Sequence, residues 1–343
     1  MPNGYHGKIL HVDLAKQRWE VEEPPASFYR TYMGGSALAV YYLLKGMRPG
    51  TDPFSPDNVL VLALSVLTGV PIHGNSRAIA AARSPLTMAV GDSQAGGFWP
   101  AEAKFAGYDG IVIKGRAERP VYLWINDGEV EIRDASHLWG LNTGDTTDRI
   151  RQELGDEKVE VAAIGQAGEK LVRYASIINM ANRAHGRTGM GAVMGSKNLK
   201  AVAVRGKQRP DLADRRKVLE LAKWGTKNIE EIIPDLSKYG TANIVESQDF
   251  DGGLPTRNYT SGTFKGYANL TGPKMYETIL KERDTCYACA TKCKRVVEVK
   301  NPDGNLRIDP KFGGPEYEGI ATLGSYCEVD DLVAVAEAYQ YCN

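Results

Sequence analysis

Net charge is absent from this 343-residue chain, in which 42 Lys and Arg balance 42 Asp and Glu. The balance removes the electrostatic argument for a nucleic acid or an acidic membrane surface as partner. No apolar run is long enough to span a bilayer. The longest, from Val59 to Val70, is broken by Ser65, Thr68 and Gly69 and reads as a buried strand with a turn. The first residues show no basic-then-apolar leader, so the expected location is the cytoplasm. There is no internal repeat, no low-complexity segment and no Gly-Lys-Ser/Thr phosphate loop. Histidine is scarce, and His6, His11, His73, His137 and His185 show no ligand spacing. Cysteine is equally scarce, with five in the chain. In a reducing compartment, any that cluster point to metal more than to disulfide.

Three do cluster. Cys286, Cys289 and Cys293 lie in the run Cys-Tyr-Ala-Cys-Ala-Thr-Lys-Cys. Spacings of three and four predict a short helical stretch that aims the sulfurs at one point. Three convergent thiolates suit an iron–sulfur cluster or a zinc ion, each wanting one more ligand. The absence of a second Cys-x-x-Cys or a His pair favours iron–sulfur and leaves zinc open. Cys327 and Cys342 are the remaining cysteines, and ordinary burial is the plainer reading of both. Lys292, Lys294 and Arg295 flank the cluster, where they favour an anionic centre or form a solvated basic face.

What the chain has in abundance is glycine, with 37 residues. Such patches mean tight turns or backbone wrapped closely around a flat ligand. Gly186, Gly189, Gly191 and Gly195 alternate with Arg183, Arg187 and Lys197, which suits an anion cradle for phosphates or a turn leading into a strand. The residues before Gly189-x-Gly191 are polar where a dinucleotide fold needs a buried strand, so that fold is rejected. Asn75-Ser76-Arg77, Ser84 to Thr87 and the turn Gln94-Ala95-Gly96-Gly97 suit the same kind of ligand. Gly313-Gly314-Pro315-Glu316-Tyr317-Glu318 starts a helix. Its carboxylates serve the helix dipole, or one is buried near a metal with its pKa raised for proton transfer.

The expected fold class is α+β. A β-rich domain over residues 1–207 is followed by a mainly helical domain over 208–343 that carries the cysteines and is incomplete. Strands are expected at 8–12, 18–21, 59–64, 78–82, 110–114, 121–125, 130–133, 159–164, 201–204 and 294–300, with Asn126-Asp127-Gly128 turning between two of them. Helices are expected at 36–44, 146–154, 210–233, 273–283, 315–326 and 330–341. The last ends at Asn343 without a polar tail, so the sequence reads as cut off.

Taken together, these pieces resemble the aldehyde ferredoxin oxidoreductase family of tungsten enzymes. The matching runs include Gly7 to Leu10, Ser84 to Thr87, Lys104 to Gly110, Gly191 to Lys200, Leu254 to Asn258, the cysteine cluster and Gly314 to Glu318. The resemblance implies a tungsten (or molybdenum) bis-pyranopterin with magnesium joining the pterins, seated on the first domain. Arg77, Arg183 and the backbone at Ala184 match contacts to the pterin phosphates or magnesium. The Gln94–Gly97 turn matches another, although relatives carry Asn-Ser-Gly-Gly there. Gly186 and Arg187 belong to the same cradle. Cys286, Cys289 and Cys293 match three ligands of a [4Fe–4S] cluster.

The implied reaction oxidises a small aldehyde to a carboxylate with water as oxygen source and ferredoxin as electron acceptor. Glu318 matches the catalytic glutamate, Tyr317 stands beside it, and Glu316 takes the role if the register shifts by two. The family's fourth cysteine, an Asp-x-x-Gly-Leu pair and a catalytic histidine lie downstream of the region matched. That implies a fragment, or a subunit whose partner chain supplies the rest; a homodimer is the other assembly. The alternatives are a tungsten subunit of a benzoyl-coenzyme A reductase and an inactive cofactor- or zinc-binding fragment.

Overall fold

Alternating side chains along short strands build the first half of the protein. A computed structural model describes residues 3–343. Contacts group the chain into two units, one ending at Leu219 and the other covering Glu220–Asn343.

In the first unit, β1 (Ile9–Asp13) and β2 (Arg18–Glu22) form the expected hairpin. They join β3 (Leu60–Ala63), β4 (Ala78–Arg83), β5 (Val90–Ala95) and β6 (Gly110–Lys114) in a sheet of order β2-β1-β6-β3-β4-β5. A second sheet contains β7 (Val121–Asn126), β8 (Glu129–Asp134), β9 (Glu160–Ala163), β10 (Ile177–Asn179), β11 (Arg183–His185) and β12 (Leu199–Arg205), in order β11-β10-β9-β12-β7-β8. Pairing is antiparallel except between β1 and β6 and between β7 and β12. Asp127 and Gly128 turn between β7 and β8 with positive φ, as an Asn-Asp-Gly sequence prescribes.

The two sheets share one core. Leu60 and Leu62 of β3 meet Leu123 and Val202 in it, while Val61 and Ala63 pack on the opposite face with Leu38 and Leu43. Those leucines lie on α2 (Gly35–Gly46), which follows α1 (Ala26–Tyr32). The outer face of the second sheet buries Val161, Ala201 and Ala203 against Ile150 of α4 (Thr143–Leu154). Short helices α3 (Trp99–Phe105), α5 (Gln166–Glu169) and α6 (Met190–Ser196) fill the connections. Sequence patterning missed these three along with α1, β10 and β11, which are too short to show a period, and β5, whose Gly-Asp-Ser-Gln run carries no apolar alternation.

The second unit is mainly helical, so the α+β expectation holds. Its helices are α7 (Arg215–Ile232, which starts in the first unit), α8 (Pro234–Tyr239), α9 (Val245–Phe250), α10 (Gly272–Thr278), α11 (Tyr317–Leu323) and α12 (Leu332–Cys342). Asp331 caps α12 by accepting from the N–H groups of Val333 and Ala334. Thr271 caps α10, but that helix stops at Thr278 instead of reaching Arg283. Leu280–Asp284 forms strand β13, pairing with β14 (Lys294–Val297). The strand expected over 294–300 breaks at Glu298 and resumes as β15 (Val299–Lys300), which pairs with β16 (Leu306–Ile308). Among the described residues, no helix is long and apolar enough to cross a membrane.

Candidate functional site

The glycine-rich segment after Arg183 divides into two parts with different jobs. From Gly189 onward the glycines serve packing. A Cβ at Gly191 would stand 2.3 Å from the Ser176 carbonyl oxygen, and one at Gly195 would stand 2.0 Å from that of Gly168. These glycines let α6 lie directly on neighbouring backbone. Lys197, expected in the anion cradle, is fully buried elsewhere: its ammonium donates to the carbonyls of Asn58, Pro56 and Gly115. Burial pushes its pKa down to about 7, with Arg116 adding to the fall. Lys197 is therefore a structural clasp.

The part from Arg183 to Arg187 meets the Gln94–Gly97 turn. Asn179, at the end of β10, donates through Nδ2 to the Gly96 carbonyl (3.1 Å) and to the Arg183 carbonyl (3.4 Å). Ser76 donates through its hydroxyl to the Gly97 carbonyl (2.6 Å), which places Arg77 next to the same turn. His185 Nδ1 donates to the Ser93 carbonyl (2.8 Å), and the Arg187 N–H donates to Ser93 Oγ (2.9 Å). The Arg183 guanidinium is buried and donates to Asn182 Oδ1 (2.5 Å).

Around this frame Arg77, Gln94, Ala184, Gly186 and Arg187 are exposed, while Ala95, Gly96 and Gly97 are buried. The expected residues thus meet in one seat made of exposed Arg77 and Arg187, buried Arg183, exposed backbone at Ala184 and Gly186 and a double-glycine turn. Three buried polar atoms belonging to this frame have no partner among the described residues: Asn75 Nδ2, Asn179 Oδ1 and His185 Nε2. Burial holds the His185 imidazole down to about 4, so it is neutral at physiological pH. Cationic groups and glycine backbone suit a phosphate-bearing ligand. Sequence reading missed Asn179, Ser93 and His185. The one available signal was a polar residue ending the apolar run Ile177-Ile178.

In the second unit the three cysteines sit on the loop joining β13 to β14 and are half-buried and free of disulfides. The helical expectation fails here. Ala288 and Lys292 both take positive φ, and the Asp284↔Lys294 pairing closes the segment into a hairpin. The Thr285 hydroxyl donates to the carbonyls of Cys286 and Cys289 inside the loop. The Arg295 guanidinium, buried at the loop's exit, donates to the carbonyls of Ser237 (3.2 Å), Lys238 and Lys292. The donor type fits a thiolate-ligated metal, yet among the described residues no three ligating groups are gathered about one point. Cys327 and Cys342 are exposed, against the expectation of burial. Their thiols donate to the carbonyls of Thr322 and Ala338, five and four residues earlier.

The acidic motif is tied to the strand that leaves this loop. Lys294, almost fully buried, pairs with Glu316 at 3.0 Å, and the Thr241 hydroxyl donates to the same carboxylate. The Tyr317 N–H in turn donates to Thr241 Oγ1 (2.9 Å). Glu316 is the N-cap residue of α11 and Glu318 lies in its first turn. Glu318 is exposed, so the carboxylate of the two that remains open to a reactant is not the buried one the sequence suggested. Burial raises the pKa of the adjoining Tyr317 phenol, and the nearby Tyr259 and Glu318 add to the rise. The seat and the cysteine loop lie in different units.

The first unit thus brings arginines and a double-glycine turn together, and the second carries three thiols on one hairpin. The family model for the N-terminal domain of aldehyde ferredoxin oxidoreductase matches residues 9–206, and the model for domains 2 and 3 of that enzyme matches 218–343. The chain belongs to the aldehyde ferredoxin oxidoreductase family. It is 40% identical to a tungsten-containing aldehyde ferredoxin oxidoreductase of Pyrococcus horikoshii, over 99% of this chain and 55% of that protein. With the Pyrococcus furiosus protein of the same description it shares 39% identity, over 99% of this chain and 56% of the relative. The chain thus spans about half the length of these relatives. Among solved structures it resembles a chain of the active-site complex of benzoyl-coenzyme A reductase with a dienoyl-coenzyme A. The TM-score is 0.81 at 32% identity, covering 99% of this chain and 53% of the other.

Proposed function

We propose that this chain seats a tungsten (or molybdenum) bis-pyranopterin and carries a [4Fe–4S] cluster in an enzyme that oxidises a small aldehyde to a carboxylate. The observation that carries this reading is the meeting of Arg77, the Gly96–Gly97 turn and the Arg183–Arg187 backbone in one seat, inside the stretch that the family model covers. Arg77, Arg183 and Arg187 would balance the charge of the pterin phosphates and their bridging magnesium. Backbone at Gln94 to Gly97, Ala184 and Gly186 would approach the ligand where bulkier chain could not.

When bound, the metal–pterin group and the cluster would supply the two-electron oxidation chemistry and a route for the electrons toward ferredoxin. Water supplies the added oxygen, and the protons released need an acceptor. Glu318 meets that need: its carboxylate is open, at a helix N-terminus, and would take a proton from water or from the aldehyde hydrate. Glu316 is engaged by Lys294 and Thr241, so it suits the work of fixing the helix start on which Tyr317 and Glu318 sit. Cys286, Cys289 and Cys293 would become cluster ligands once the metal draws the loop together. Reduced thiols of this kind fit a cytoplasmic setting.

Metal analysis and a visible spectrum of anaerobically isolated protein test the reading. Tungsten or molybdenum with iron and sulfide is expected, and a colourless zinc protein would overturn it. Aldehyde-dependent reduction of a viologen dye is then expected to fall at least roughly a hundredfold in Glu318→Gln. The structural likeness to benzoyl-coenzyme A reductase favours a second reading, with electrons flowing toward an aromatic thioester. Reduction of that thioester by reduced viologen, with no response to aldehydes, would select it.

A further inference from the structure

Asn179 lies at the base of the seat, and nothing in the proposed chemistry uses it. It is fully buried on β10, and its side chain spans two walls of the seat. Its Nδ2 donates to the Gly96 carbonyl at 3.1 Å and to the Arg183 carbonyl at 3.4 Å. Its Oδ1 has no hydrogen-bond partner and lies against Gly97, where a Cβ would come within 2.2 Å of it. Gly97 takes φ +109°, a region that other residues rarely enter. A peptide unit is planar and trans, so its C=O and N–H point in opposite directions. With the Gly96 carbonyl drawn inward to Asn179, the Gly97 N–H of that unit is turned away from Asn179. Gly97 is also fixed from its other side, because Ser76 draws its carbonyl at 2.6 Å.

We propose that Asn179 is the positioning residue of the seat, setting the Gly96–Gly97 peptide so that its N–H is presented to an anionic group, and joining that turn to the Arg183 strand. The anion would be a phosphate monoester such as the pterin side chain carries, so this inference rests on the function proposed above. Asn179 does not touch the ligand, since its carboxamide is enclosed. Its role is to keep a backbone donor aimed without reorganisation when the ligand arrives.

The test compares wild type with Asn179→Ala, each isolated anaerobically from tungstate-supplied cells. Pterin bound per chain is measured as its fluorescent oxidation product, alongside thermal midpoint and far-ultraviolet dichroism. Asn179→Ala is expected to hold roughly a tenth of the wild-type pterin or less while keeping its sheet signal, since an unaimed donor loses charge-assisted binding. If that variant does not fold, Asn179→Ser, with a shorter donor, takes its place. A second readout is the Gly97 amide resonance. Added inorganic pyrophosphate should move it in the wild-type chain and leave it in place in Asn179→Ala, a difference that a merely structural role would not produce. Wild type with pterin and Asn179→Ala with equal pterin would overturn the role of Asn179 alone. Wild type without any pterin would remove the reading on which it stands.

Discussion

In the first unit, side chains around the Gly96–Gly97 turn already hold backbone groups of the neighbouring segments. Asn179, Ser76 and Ser93 hold backbone groups at 2.6–3.4 Å across strands far apart in sequence. In the second unit, three half-buried thiols share one loop and are not gathered. The difference follows from what each site is made of. A phosphate seat built of backbone is set by the packing of the sheets beneath it and exists before its ligand. A thiolate site is built of side chains that gain nothing by converging until a metal neutralises them. Order in the second unit is instead concentrated at the loop's exit, where buried Lys294 pairs with Glu316 and buried Arg295 donates to three carbonyls.

The sharpest way to break this comparison is to remove a thiol. Cys289→Ser is expected to lower bound iron roughly tenfold or more, by metal analysis, while pterin per chain stays near the wild-type level. Loss of both together would mean that the two sites are built as one.

A second test moves to the loop's anchor. Arg295→Met leaves the carbonyls of Ser237, Lys238 and Lys292 without their shared donor. It should lower unfolding stability by about 3 kcal/mol in denaturant titrations, because buried carbonyls lose a charged partner. An effect under about 0.5 kcal/mol, the usual level for an unengaged surface site, would show that the loop is ordered by something else.

The smallest effect is a pH dependence confined to the seat. The unfolded chain protonates His185 near the ordinary histidine value of about 6.5, whereas burial holds the folded value at about 4. Between those values the unfolded state binds the extra proton, so stability is full above pH 6.5 and falls as pH drops toward 4. His185→Gln should flatten the stability–pH curve in this window by on the order of 2 kcal/mol. An unchanged slope would show that His185 does not couple the seat to pH.

How much of this could be read in the sequence depended on whether a signal was local. The hairpin turn at Asp127-Gly128 was legible because positive φ is a property of those residues themselves. The clustering of Cys286, Cys289 and Cys293 on one segment was legible, but their geometry was not: helical spacing was overridden by pairing of β13 with β14. Leu280–Asp284 was lost to the same cause, since its strand exists only through Lys294–Val297. The arginines and glycines of the seat stood out by composition, and the sheets do bring them together. Lys197 stood out equally and is a buried clasp, because only the fold decides which basic residues face solvent. Asn179, Ser93 and His185 act across roughly 80 to 95 positions of chain, and no local pattern announces such partners.

The central claim is that the seat between the Gly96–Gly97 turn and the Arg183–Arg187 strand holds the phosphates of a metal-bound pterin. Anomalous diffraction at the tungsten edge, from crystals of anaerobically isolated protein, tests it most directly. The account predicts a tungsten peak whose attached pterin density places its phosphates against Gly97, Ala184 and the arginines. Tungsten-free density in that seat, in crystals whose iron signal shows the cluster intact, would contradict it.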